Sequence, residues 1–214
     1  MNVKSSISTK KCVFLICLMG TAIFFYACKS HSSIVEELSV VKSNQYDIPT
    51  PCKVTYDGPD QRTGKPKKEI AYENIFNFTH EKLANYYKDR DYLKCYSSIG
   101  IVDGEYYLYL KLIFDSKNAG KSYGMMPKEE NMRIQLLNGD DVLLKPFKNA
   151  TPRIDTKTKK IIYDGIFKLD GGQKKDLKAN EIDKIGIMWT SGFETYDIYN
   201  IDLIKNQLAC IDRN

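Results

Sequence analysis

Glu105-Tyr106-Tyr107-Leu108-Tyr109-Leu110-Lys111-Leu112-Ile113-Phe114-Asp115 alternates with a period of two. Consecutive side chains of a strand point to opposite faces. The stretch therefore reads as one long strand, with Tyr106, Leu108, Leu110, Leu112 and Phe114 on its inward side. Tyr107, Tyr109, Lys111 and Asp115 fall on the other side. Asp103-Gly104 just before it is a hairpin signal, because both residue types tolerate the positive φ that tight turns require. It joins this strand to an inward row at Leu93, Cys95, Ile99 and Ile101.

The same alternation extends in both directions. Cys52, Val54 and Tyr56 alternate with polar neighbours up to the turn at Asp57-Gly58-Pro59, and Ile70, Tyr72, Phe76 and Phe78 form a further row. Ile134 and Leu136 lead through Asn138-Gly139-Asp140 to Val142 and Leu144. Ile161, Tyr163, Phe167 and Leu169 end at Asp170-Gly171-Gly172, and Ile185, Ile187 and Trp189 continue through Ser191-Gly192 to residues 193–199. About nine strands result. Two short helices are expected, one capped by Thr79 and carrying Leu83, Tyr86 and Tyr87, the other over residues 202–210 with Ile204 and Leu208 inward. The fold class is mostly β, an antiparallel β-sandwich, with a partly open barrel as the alternative. Residues 51–214 show no repeat or shift in composition and are expected to form a single domain.

The first residues have a different character. Lys4, Lys10 and Lys11 precede an uncharged apolar run from Cys12 to Ala27, the order of an export signal. Phe25-Tyr26-Ala27-Cys28 then resembles the lipobox of bacterial lipoproteins. The resemblance implies that residues 1–27 are a signal peptide, cut before a lipid-modified Cys28 that becomes the first residue. Ala27 matches the small residue beside the cut, whereas Phe25 and Tyr26 depart from the usual Leu and small residue. An uncleaved signal anchor and a cleaved, unlipidated signal peptide are the alternatives. Residues 28–50, rich in serine and ending in Pro49-Thr50, are expected to be a tether. Lys29 in place of the inner-membrane Asp points to the outer membrane, facing the periplasm. From Cys52 onward the chain resembles a recurring type of small, uncharacterised bacterial lipoprotein. That likeness rests on Cys52-Lys53-Val54-Thr55-Tyr56, Leu93-Lys94-Cys95, Lys121-Ser122-Tyr123-Gly124 and Ile185-Gly186-Ile187-Met188-Trp189 with Tyr196-Asp197-Ile198-Tyr199, and it implies no activity.

Charge narrows the function. Loss of the three lysines of the signal lowers the formal charge from +5 to +2. So small a charge gives little pull on nucleic acid, and no nucleic-acid partner is expected. Lys65-Pro66-Lys67-Lys68, residues 157–160 and Lys174-Lys175 are read as solvated loop charges. The two histidines, His31 and His80, lie far apart, and the chain lacks HExxH, CxxC, Gly-x-Ser-x-Gly and P-loop motifs. No catalytic residue, metal site or cofactor is assigned. The pairs Glu129-Glu130 and Asp140-Asp141 are neighbours, which on a strand would point apart and make poor acid–base partners. Cys52, Cys95 and Cys210 allow one disulfide in any of three pairings, or buried thiols acting as small hydrophobes. The outward Tyr107 and Tyr109 are the candidate ligand surface.

The expected function is a non-enzymatic, lipid-anchored binding or adaptor module of the cell envelope, with another envelope protein as partner. A glycan-binding lipoprotein using exposed tyrosines is the second reading, and a carboxylate-based hydrolase the third. A flat apolar patch would favour a protein, a concave face with several aromatics a glycan, and two carboxylates converging in a deep pocket hydrolysis.

Overall fold

A computed structural model describes residues 52–213 apart from Arg62 and Asp89. The signal segment, Cys28 and the tether lie outside the described residues. The described strands, in chain order, are β1 (Val54–Pro59), β2 (Pro66–Ile70), β3 (Glu73–Phe78), β4 (Leu93–Val102), β5 (Glu105–Phe114), β6 (Met132–Leu136), β7 (Asp141–Leu144), β8 (Arg153–Ile154), β9 (Ile161–Leu169), β10 (Ile182–Trp189) and β11 (Gly192–Asp197). The described helices are α1 (Glu81–Ala84), α2 (Ala119–Tyr123), α3 (Gly171–Ala179) and α4 (Leu203–Arg213).

Two antiparallel sheets form the sandwich. The larger runs β1-β2-β4-β5-β9-β8, with β3 also paired to β4; the smaller runs β11-β10-β6-β7. Both are open at their edges, so the barrel alternative is not what the described residues form. Asp103 and Gly104 both take positive φ, 54° and 81°, which closes the β4–β5 hairpin and sets Val102 opposite Glu105.

The inward rows meet as the alternation requires. Leu108, Leu110, Leu112 and Phe114 of β5 are at most 1% exposed. Phe114, Tyr123, Tyr163 and Trp189 form one aromatic cluster, with ring centroids 4.7–6.0 Å apart. Helix α4 packs against β4 and β2 of the large sheet, with Leu203, Ile204, Leu208 and Ile211 buried. Its buried Gln207 accepts from Ser97 Oγ at 3.0 Å and donates to the Ser97 carbonyl at 2.9 Å. That pairing offsets the desolvation of both polar side chains.

Five expectations need correction. There are eleven described strands rather than about nine, because β2 and β3 are separate and β8 is a two-residue edge. There are four described helices rather than two. Asp170, read as a strand-ending turn, instead caps α3: its side chain accepts the Gln173 N–H while Gln173 returns a bond to the Asp170 N–H, a capping box. Lys174 and Lys175 are thus helical, while Lys67 and Lys68 lie in β2 rather than a loop. At α1 the cap is His80, whose Nδ1 accepts the Lys82 N–H at 3.1 Å; Thr79 Oγ1 instead accepts the Tyr92 N–H.

Candidate functional site

Sheet register brings distant segments together on the large sheet's outer face. Across the strands, Glu69 of β2, Gly100 of β4, Tyr107 of β5 and Lys168 of β9 fall in one row. The next row along β5 holds Ser98, Tyr109 and Ile166, and the one after it Tyr96, Lys111 and Asp164. Tyr107 and Tyr109 therefore do point away from the core, and both are half-buried. Their rings are 6.3 Å apart and nearly parallel, inclined by only 23°, and together they form the floor of this face.

Gly100 sets the tilt of that floor. A Cβ there would come within 2.7 Å of a Tyr109 ring carbon and 3.1 Å of the Lys68 carbonyl. Without one, the Tyr109 ring leans across β4 toward β2. Lys67 Nζ lies 5.8 Å from its centroid, 5.6 Å from that of Tyr56 and 2.7 Å from Glu69. Cations at this range are drawn to the negative face of an aromatic ring.

Two loops raise the walls. The Phe147 N–H donates to the Ile166 carbonyl at 2.7 Å, holding the 145–150 loop against β9. The Phe147 ring stands upright against Tyr107, at 6.2 Å and 87°, and is 65% exposed. Opposite, Tyr72 follows β2, with Lys111 Nζ 4.3 Å above its ring. Burial and the nearby Glu69 and Asp164 carboxylates and Tyr109 phenol push the Tyr72 phenol well above its ordinary range. It is therefore a neutral hydrogen-bonding group at any physiological pH. The cleft so formed has a volume of about 430 Å³. Asp60, Glu69 and Asp164 lie around it with Lys67, Lys111 and Lys148, and the two signs balance.

A larger depression, about 580 Å³, opens at the β1–β2 end beside Tyr106 and Asp212. Its charges are satisfied within the fold. Asp212 accepts from Tyr106 Oη at 2.6 Å and Lys178 Nζ at 2.7 Å, with Lys174 Nζ at 3.1 Å, and Lys68 lies 3.2 Å from Asp57. With Tyr106 as its one aromatic ring, it is less suited to a ligand that stacks than the aromatic cleft.

Among the other singled-out residues, Cys52 and Cys210 are joined by a disulfide and Cys95 is a buried thiol. Burial pushes the Cys95 thiol far up, so it is inert as a nucleophile. Asp141 is gripped by Arg133 at 2.5 Å, while Asp140 bonds Asn138 in its own turn. No group of three or more His, Cys, Asp or Glu among the described residues is placed to hold a metal ion. Sequence reasoning found the tyrosine floor but put Tyr72 in an inward row with Ile70, whereas it is exposed at the outer-face cleft, and it missed Phe147, Lys67, Glu69 and Asp164. Only alternation on β9 could have put Asp164 on the outer face; nothing local marks the others. Compared with family models, curated proteins and solved structures, the chain matches none.

Proposed function

We propose that this chain is a non-catalytic binding module of the cell envelope, held there by lipid on Cys28, whose ligand occupies the outer-face aromatic cleft. The carrying observation is that cleft. Four aromatic rings from β5 and two separate loops converge on it, although the fold's own core lies on the other side of the sheet. Concave, mostly apolar clefts with a few convergent polar groups are the usual form of ligand sites, at about 300–1,000 Å³. The concave shape and ring floor favour a glycan over the flat apolar surface expected for a partner protein. The carboxylates of the cleft argue against hydrolysis: Glu69 is held by Lys67, and Asp164 by Arg153 at 2.9 Å. The disulfide fits an oxidising compartment outside the cytoplasm. In this reading attachment rests on the lipid at Cys28; no helix among the described residues is long and apolar enough to cross a membrane.

The test is retention of the full-length lipoprotein, in detergent, on isolated cell-envelope material. Tyr107→Ala/Tyr109→Ala should release it while the folded state persists by circular dichroism. Equal retention of the folded variant would refute the cleft as the site. Cys28→Ser should move the protein from the membrane to the soluble fraction; continued attachment would refute the lipid anchor.

A further inference from the structure

We infer that the cleft takes a neutral saccharide of at least two linked rings, stacked on Tyr107 and Tyr109 with Phe147 as its side wall. This rests on the reading of the cleft as the binding site and names the chemistry it selects. Aromatic faces receive the C–H faces of pyranose rings, because the ring face is electron-rich and the axial C–H bonds are weakly positive. A single ring would offer one such seat. Here two nearly parallel rings have their centroids 6.3 Å apart, about the length of one sugar unit along a chain. The upright Phe147 limits the floor on one side, so the chain of rings runs along β5 rather than across it.

Charge decides between the ligand classes that stack on aromatics. Single-stranded nucleic acid also stacks, but it needs a positive groove along its phosphates. The cleft instead alternates Lys67 and Lys111 with Glu69 and Asp164. Such a rim offers both donors and acceptors to a neutral, hydroxyl-bearing ligand and gives no net pull on an anionic or cationic one. The neutral Tyr72 phenol adds a group that both donates and accepts.

Gly100 acts as a positioning residue for this stacking. Gly100→Ala must push the Tyr109 ring aside, because the added carbon would sit 2.7 Å from it. The two rings would then lose their near-parallel arrangement while both remain.

The experiment is calorimetric titration of the full-length protein in detergent. The probes are neutral glucan and N-acetylglucosamine oligomers from monomer to tetramer, a uronic-acid tetramer, a single-stranded oligothymidine and a tyrosine-rich peptide. A neutral tetramer should bind at least about tenfold more tightly than its monomer. Tyr107→Phe/Tyr109→Phe should keep most of that affinity, since the rings remain. Phe147→Ala, at an exposed position, and Gly100→Ala should each weaken it by about tenfold with the fold intact. Tighter binding of the uronic acid, oligothymidine or peptide would overturn the inference, as would undiminished binding by a folded Tyr107→Ala/Tyr109→Ala variant. If no neutral oligomer binds although the alanine pair still releases the protein from envelope material, the saccharide inference fails and the binding site stands. If that release fails as well, both fail.

Discussion

The two sheets turn quite different outer faces to their surroundings. On the small sheet, the ion pairs Arg133–Asp141 and Lys184–Asp197, at 2.5 and 2.6 Å, share the outer face with the half-exposed apolar side chains of Leu143 and Phe193. On the large sheet the corresponding positions hold Tyr107, Tyr109 and Ile166, half-buried under the loops that carry Tyr72 and Phe147. Apolar side chains scattered among ion pairs are ordinary on a sheet that meets water. The pattern on the large sheet removes aromatic surface from water only in part, so the fold alone does not account for it. It is the face on which to look for a partner.

The sharpest way to test that contrast is to set the outer tyrosines against the inner face of the same strand. Phe114→Ala, which removes a ring packed against Tyr92, Tyr123, Tyr163 and Trp189, should cost about 3–5 kcal/mol in urea unfolding. Tyr107→Ala/Tyr109→Ala should cost at most about 2 kcal/mol for the pair, because each ring is only half-buried. A loss equal to that of Phe114 would mean that the floor is structural and the contrast between faces false.

Smaller effects come from charge. Burial pulls the Asp212 carboxyl upward, but hydrogen bonds from Lys178, Tyr106 and Lys174 outweigh it and hold the group down at about 2. Its folded value thus lies below its unfolded one, so its stabilisation is complete above about pH 4 and disappears as pH falls from about 4 to 2. Asp212→Asn should cost about 1 kcal/mol at neutral pH, solvent screening included, and flatten that part of a pH–stability profile. An unchanged acid limb would show that the lysines do not hold the carboxylate in solution. Smallest of all, Asp141→Ala on the small sheet should leave both stability and envelope retention nearly unchanged, because the pair is solvent-screened. Loss of retention there would put the binding face on the wrong sheet.

How much of this was legible depended on whether the signal was local. The strand at Tyr106 to Phe114, its hairpin at Asp103-Gly104 and the terminal helix announce themselves through period and turn chemistry. The outward placement of Tyr107 and Tyr109 follows from the same period. Helix α3 was hidden because it opens on Gly171-Gly172, poor helix formers that read as a turn, and its start is fixed by reciprocal bonds between Asp170 and Gln173. Strand β2 was hidden because Pro66-Lys67-Lys68 has the composition of a loop; it is an extended segment held by β1 on one side and β4 on the other. The cleft's walls were out of reach for a further reason. Glu69, Phe147 and Asp164 meet the tyrosines through strand order, which no short stretch encodes. The Cys52–Cys210 pairing likewise joins residues 158 apart and could not be chosen over its rivals from spacing.

That cross-link also decides how the domain bears tension. It ties the residue just before β1 to the last helix, so everything from Cys52 to Cys210 lies inside one covalent ring. A pull arriving through the preceding residues passes at Cys52 straight across the sulfur bridge into α4. It does not run along the edge strand β1, which would otherwise peel first. Stretched between its ends in a force spectrometer, the oxidised chain should therefore yield almost no length from the sandwich. Reduction should release roughly 500 Å, the extended span of the 158-residue separation. Under the proposed lipid attachment, the outer-face cleft would keep its shape under load for as long as the bridge stays oxidised.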